Sequence, residues 1–114
     1  MSEIPTQRFT HAEIAEILPQ SDPFMFLDSA ESAGDGMRAE YRVRGDEFFL
    51  KGHFKNEPVF PASIVFEALG QVACLWLLVN ARARFGAALT AGHVFFASMD
   101  GAHFYRRVGP GETF

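Results

Sequence analysis

Cysteine, tryptophan and tyrosine are scarce in this 114-residue chain, at one, one and two copies. The lone cysteine, Cys74, cannot close an internal disulfide, so a reducing, cytoplasmic setting is the expectation. Basic charge is short as well. Ten Lys and Arg face fourteen Asp and Glu, a net charge of −4, and nothing in those totals points to a nucleic-acid partner. The opening residues Met1-Ser2-Glu3-Ile4-Pro5 lack the apolar run of a secretory signal. Repeats, low-complexity tracts and linkers are missing too, so residues 1–114 read as one domain. His11, His93 and His103 are scattered without metal-ligand spacing, and neither a metal nor another cofactor is expected.

Phenylalanine, by contrast, is abundant. Thirteen of them, most in the second half, predict an interior or a subunit interface lined with flat rings. Residues 62–82 are predicted to form one long helix, apolar on nearly every face through Ile64, Val65, Phe66, Leu69, Val72, Leu75, Trp76, Leu77, Leu78 and Val79. Such a helix belongs inside a core or a membrane. Glu67, Gly70 and Gln71 within it, and the cost of an intramembrane carboxylate, favour the core, so no membrane span is expected. One polar line runs along it, because Ser63, Glu67 and Gln71 stand four residues apart on one face. A carboxylate in such company is costly unless it is paired, neutralised or used.

Before that helix, residues 1–9 read as a loose arm. Thr10 and Glu13 form a capping box that should start a short helix ending at Leu18, before Pro19. Residues 24–32 and 37–44 look like two strands joined by the Ala33-Gly34-Asp35-Gly36 hairpin signal, with Met37, Ala39, Tyr41 and Val43 facing a core. Residues 47–51 are expected as a short strand, and 91–99 and 102–108 as two more. Strands curled on one apolar helix give an α+β architecture.

The segment Gly52-His53-Phe54-Lys55-Asn56-Glu57-Pro58-Val59-Phe60-Pro61-Ala62-Ser63-Ile64-Val65-Phe66-Glu67-Ala68-Leu69-Gly70-Gln71 resembles the signature of the 3-hydroxyacyl-[acyl-carrier-protein] dehydratases, roughly G-H-F-P-x-x-P-V-M-P-G-x-x-x-x-E-A-x-A-Q. The resemblance extends to Leu18–Asp28 (L-P-H-x-x-P-F-x-x-V-D) and to Phe104–Glu112 (F-R-R-P-V-x-P-G-D). It implies the hotdog fold, an antiparallel sheet wrapped around one long helix, in a homodimer or higher homo-oligomer. Members usually continue past the last motif with two long strands, so the C-terminal strands are expected to be missing here and the single domain truncated.

For the site, the resemblance implies His53 as the base that takes the C2 proton, its ring oriented by the Val59 carbonyl. Glu67, from the neighbouring subunit, acts as the acid on the 3-hydroxyl and is held by Gln71. The backbone N–H groups at Ala62 and Ser63, exposed at a helix start after Pro61, suit the thioester oxygen. Three positions depart from the family: Ala62 replaces Gly, Lys55 replaces Pro and Gln20 replaces His. A methyl at Ala62 puts rate or substrate range at issue. The implied partner is an acyl carrier protein bearing a phosphopantetheine-linked chain, and Lys51, Arg82, Arg84, Arg106 and Arg107 are candidate docking cations. A hotdog thioesterase and a non-catalytic acyl-binding or scaffold subunit are the rival readings. Ser63 lacks the nucleophile-elbow context of a hydrolase.

Overall fold

A computed structural model describes residues 6–85 and 100–114, with Ala33 and residues 81–85 described by their backbone alone. The expected strand at 91–99 lies outside the described residues. Three strands, β1 (Arg8–Thr10), β2 (Ser29–Ala33) and β3 (Gly36–Glu40), pair antiparallel in that order. Between β1 and β2 runs α1 (His11–Ile17), and after β3 comes the long α2 (Ala62–Phe85). This small antiparallel sheet with one long helix is the mixed α+β arrangement expected of a hotdog domain.

Local signals act where they were expected to. Thr10 Oγ1 accepts from the Glu13 N–H at 3.2 Å while a Glu13 carboxylate oxygen accepts from the Thr10 N–H at 3.0 Å, closing the capping box of α1. Ile14, wholly buried, anchors this helix to the core. The β2–β3 hairpin turns at Gly34 and Asp35, where Gly34 takes a φ of +57° that a side chain would disfavour.

Elsewhere the expectations are corrected. Part of the loose arm is strand: Phe9 is buried opposite Ala30, between exposed Arg8 and Thr10, so a single apolar residue suffices to dock β1. Residues 24–28 are not strand, because the Phe24 carbonyl and the Phe26 N–H are bonded to the Gln71 side chain in place of a sheet neighbour. Residues 41–43 are extended but leave β2 for the chain's last residues. Tyr41 and Phe114 exchange backbone bonds of 2.9 and 3.0 Å, and the Val43 N–H donates to Glu112. Residues 48–50 form a 3₁₀ turn in place of a strand, since the Glu47 carboxylate gathers the N–H groups of Arg44 and Gly45 and bends the chain back. Residues 102–108 form no strand either: 103–107 are all exposed, leaving no buried face to hold one against a sheet.

The core is aromatic at its centre. Phe26 meets Phe24, Tyr41, Phe49 and Phe60 edge-on, with ring centroids 5.1–6.1 Å apart. Against these rings α2 presents Ala68, Gln71, Cys74, Leu75 and Leu78, one stripe at helical spacing. The helix is therefore not enclosed all round. Leu69 and Leu77 are 42 and 40 % exposed, and only 28 % of Ala62–Asn80, a stretch long and apolar enough to cross a membrane, is buried within the chain. The three strands among the described residues cover one side of this helix.

Candidate active site

The His53 loop is built by local bonds. Pro58 and Pro61 stiffen its exit, Phe54 and Glu57 bond each other's backbone across a tight turn, and the Val59 N–H donates to the His53 carbonyl at 2.7 Å. The same Val59 returns its own carbonyl to the ring, 2.9 Å from His53 Nδ1. A carbonyl only accepts, so Nδ1 carries a hydrogen, and in the neutral ring Nε2 is left with its lone pair. The half-buried imidazole also stacks on the Phe54 ring at 4.1 Å between centroids. The expected orienting carbonyl and a stack on Phe54 are both present.

Glu67 is held from farther away. Gln71 is fully buried, with 0 % exposure, and each of its polar atoms is engaged. Its oxygen accepts from the Phe26 N–H at 2.9 Å. Its nitrogen donates to the Phe24 carbonyl at 3.1 Å and to the Glu67 carboxyl at 2.8 Å. Because the Phe26 group can only donate and the Phe24 group can only accept, the amide has one satisfying orientation, and that orientation aims an N–H at Glu67. One carboxyl oxygen of Glu67 is thereby fixed while the other has no hydrogen-bond partner among the described residues.

At the start of α2 the Pro61 carbonyl accepts from Ile64 and Val65, whereas the N–H groups of Ala62 and Ser63 have no acceptor among the described residues. Both residues are exposed. Two donors at a helix N-terminus form a place for developing negative charge.

The segment around Val108 and Gly109, part of the Phe104–Glu112 motif, buttresses this loop. Phe60 N–H donates to the Val108 carbonyl, and a Cβ built on Gly109 would stand 3.3 Å from the Pro58 carbonyl oxygen, so a bare glycine allows the close approach. The Phe24–Phe26 backbone was missed as a component of the site. Its signal was the proline before Phe24 and the family-like motif around it. Of the candidate docking cations, Arg107 pairs with Glu57 at 3.3 Å and Arg106 with Glu112 at 2.8 Å. The Lys51 side chain is exposed and has no ion pair among the described residues, while the side chains of Arg82 and Arg84 lie outside them. Cys74 sits on the buried face of α2, and burial pushes its thiol above the ordinary value, away from reactivity. The described His, Cys, Asp and Glu form no group of three able to hold a metal.

A surface groove of about 480 Å³ lies elsewhere, along Arg8–His11, Asp28–Glu31 and Arg38–Glu40, and contains neither His53 nor Glu67. The chemistry-bearing groups, with the motif that connects them, mark the site more securely than the size of that groove.

An oriented histidine, a braced carboxyl and a helix start whose first donors have no acceptor among the described residues are the chemistry-bearing groups of this domain. Residues 18–114 match the family model described as a FabA-like domain, and the chain belongs to that family. Among curated proteins it is similar to the 3-hydroxyacyl-[acyl-carrier-protein] dehydratase FabZ of Bacillus subtilis, 35 % identical over 102 residues, covering 88 % of this chain and 68 % of that protein. The enzyme of the same name from Enterococcus faecalis is 35 % identical over 108 residues, 93 % of this chain and 72 % of its own length. That from Thermomicrobium roseum is 38 % identical over 103 residues, 89 and 65 % of the two chains.

Proposed function

We propose that this protein is a hydro-lyase that dehydrates (3R)-hydroxyacyl thioesters on the phosphopantetheine arm of an acyl carrier protein, yielding trans-2-enoyl thioesters for fatty acid or related lipid or polyketide synthesis. The observation that carries the reading is the His53–Val59 contact, which leaves Nε2 of a neutral ring free to act as a base.

The thioester oxygen is received by the N–H groups of Ala62 and Ser63, which favour the charge that develops as C2 is deprotonated. His53 Nε2 takes the C2 proton. The electron pair forms the C2–C3 double bond, the C3–O bond breaks, and Glu67 protonates the departing hydroxyl, so that one water leaves. His53 ends protonated and Glu67 ionised, and return of the proton resets the pair. Gln71 keeps Glu67 aimed throughout. The Ala62 methyl narrows the approach to the oxyanion donors relative to a glycine there.

Each site takes His53 from one protomer and Glu67 from its partner in a homodimer. The exposed Leu69, Trp76 and Leu77 support a second copy as the cover of α2, since apolar side chains clustered on one helix face favour association. The carrier protein, acidic, is met by Lys51 and by arginines 82, 84, 106 and 107, and the reaction takes place in the cytoplasm.

Incubating the protein with 3-hydroxyacyl and, separately, trans-2-enoyl carrier-protein thioesters tests the reading. Both should relax to the same mixture. A folded protein that converts neither would refute it.

A further inference from the structure

His11 is the first residue of α1, and its two ring nitrogens reach two acceptors on the far side of the Leu18–Asp28 turn. Nδ1 lies 3.1 Å from the Leu27 carbonyl oxygen, and Nε2 lies 3.0 Å from a carboxylate oxygen of Asp22. Neither partner can donate. A neutral imidazole has a single N–H and can serve one of them, whereas an imidazolium serves both. Only a protonated ring satisfies both contacts at once.

Their placement gives that ring a role. Asp22 and Leu27 flank the short segment whose Phe24 carbonyl and Phe26 N–H clamp Gln71, and Gln71 in turn holds Glu67. We infer that His11 is a positioning residue for the Glu67 half of the site: as an imidazolium it pins both ends of the 22–27 segment to α1, and on losing its proton it releases one of them.

The surrounding charges agree. The Asp22 hydrogen bond raises the His11 pKa above its ordinary value, partial burial opposes this, and the Leu27 carbonyl and the charges of Asp22 and Asp28 add to the rise. Asp28 is shared with Arg44 at 2.7 Å. Arg8 of β1, Glu31 of β2, and Arg38 and Glu40 of β3 line the same groove, Arg8 and Glu31 being 3.7 Å apart. On α1 itself Glu13 is occupied with the Thr10 N–H. With the folded value raised, the tie is complete below the unfolded pKa of about 6.5 and is lost as the pH rises through the folded value. The His11 and Asp22 side chains are 39 and 65 % exposed, so the effect is graded and small.

Asp22→Asn separates this role from a merely structural one. An asparagine amide can donate to the unprotonated Nε2 of a neutral ring that keeps its Nδ1 hydrogen on Leu27, so the tie persists without the charge. Wild type, Asp22→Asn and His11→Phe would be compared between about pH 6 and about pH 8.5 in two measurements, hydrogen-exchange protection of the Phe26 amide and kcat for 3-hydroxyacyl dehydration. Taking the ratio of wild type to Asp22→Asn cancels titrations common to both. It should fall about three-fold with rising pH in both measurements, KM changing little, while His11→Phe stays low throughout. A pH-independent ratio, or His11→Phe with full Phe26 protection, overturns the inference. The kinetic part rests on the dehydratase reading. Should no variant, wild type included, dehydrate the substrate, that reading fails, and the Phe26 protection still decides the role of His11.

Discussion

The two halves of the site are held in opposite ways. His53 is oriented from within its own loop, by a carbonyl six residues away, and the loop closes through bonds between near neighbours. Glu67 depends on Gln71, which depends in turn on backbone groups 45 and 47 residues distant. His53 is held locally and Glu67 through tertiary contacts. Damage to the first should therefore be chemical with the fold preserved, and damage to the second should reach fold and chemistry together.

The largest effect tests the local half. His53→Ala should lower kcat by at least ~10²-fold, the loss of a general base, with an unchanged circular dichroism spectrum and little change in Tm. Turnover near wild type would remove His53 from the reaction. Its counterpart is Gln71→Leu, which leaves the Phe24 carbonyl and the Phe26 N–H unpaired and releases Glu67. The buried Phe26 N–H orphaned at about 1–3 kcal/mol, with a smaller loss at the part-buried Phe24 carbonyl, should show as a clear fall in the urea midpoint, together with a drop in kcat. If Gln71→Leu lost activity at full stability, the distinction between the halves would collapse.

A smaller effect concerns the Tyr41–Glu47 pair, which uses neither His53 nor Glu67. Burial opposes ionisation of Glu47, but hydrogen bonds from the Tyr41 hydroxyl, at 2.6 Å, and from the Arg44 and Gly45 N–H groups win, holding its carboxyl below the ordinary value. Burial, helped by Glu47, pushes the Tyr41 hydroxyl above its own. A lowered folded value means that the stabilisation is present above the unfolded pKa of about 4.5 and is lost as the pH falls through the folded value. Glu47→Gln should cost about 1–2 kcal/mol at neutral pH in urea titrations, and the gap from wild type should close on acidification. A gap that widens in acid would reverse the assignment.

What could be read from the sequence follows the same division. The α1 capping box, the Gly34 hairpin, the start of α2 and the polar line of Glu67 and Gln71 all depend on residues within a few positions of one another, and all are found. Among the segments misread, 24–28 and 48–50 look like strands by composition, but their bonding is claimed by side chains: the Gln71 amide for the first and the Glu47 carboxylate, which folds the chain ahead of it, for the second. Periodicity reports which face is apolar and cannot report which distant side chain will take a backbone bond. The all-round apolar character of α2 was legible; that the described residues bury mainly one stripe of it was not, because composition marks a side chain as apolar without saying what covers it.

The central claim is that His53 and Glu67 act together across a dimer, and mixing two inactive homodimers tests it most directly. His53→Ala and Glu67→Gln should each be nearly inactive alone. After subunit exchange at equal amounts, verified by mass spectrometry, about half the dimers are mixed, each with one intact site and one doubly damaged, so activity should return to about a quarter of wild type. Complete exchange with no recovery would contradict the shared site.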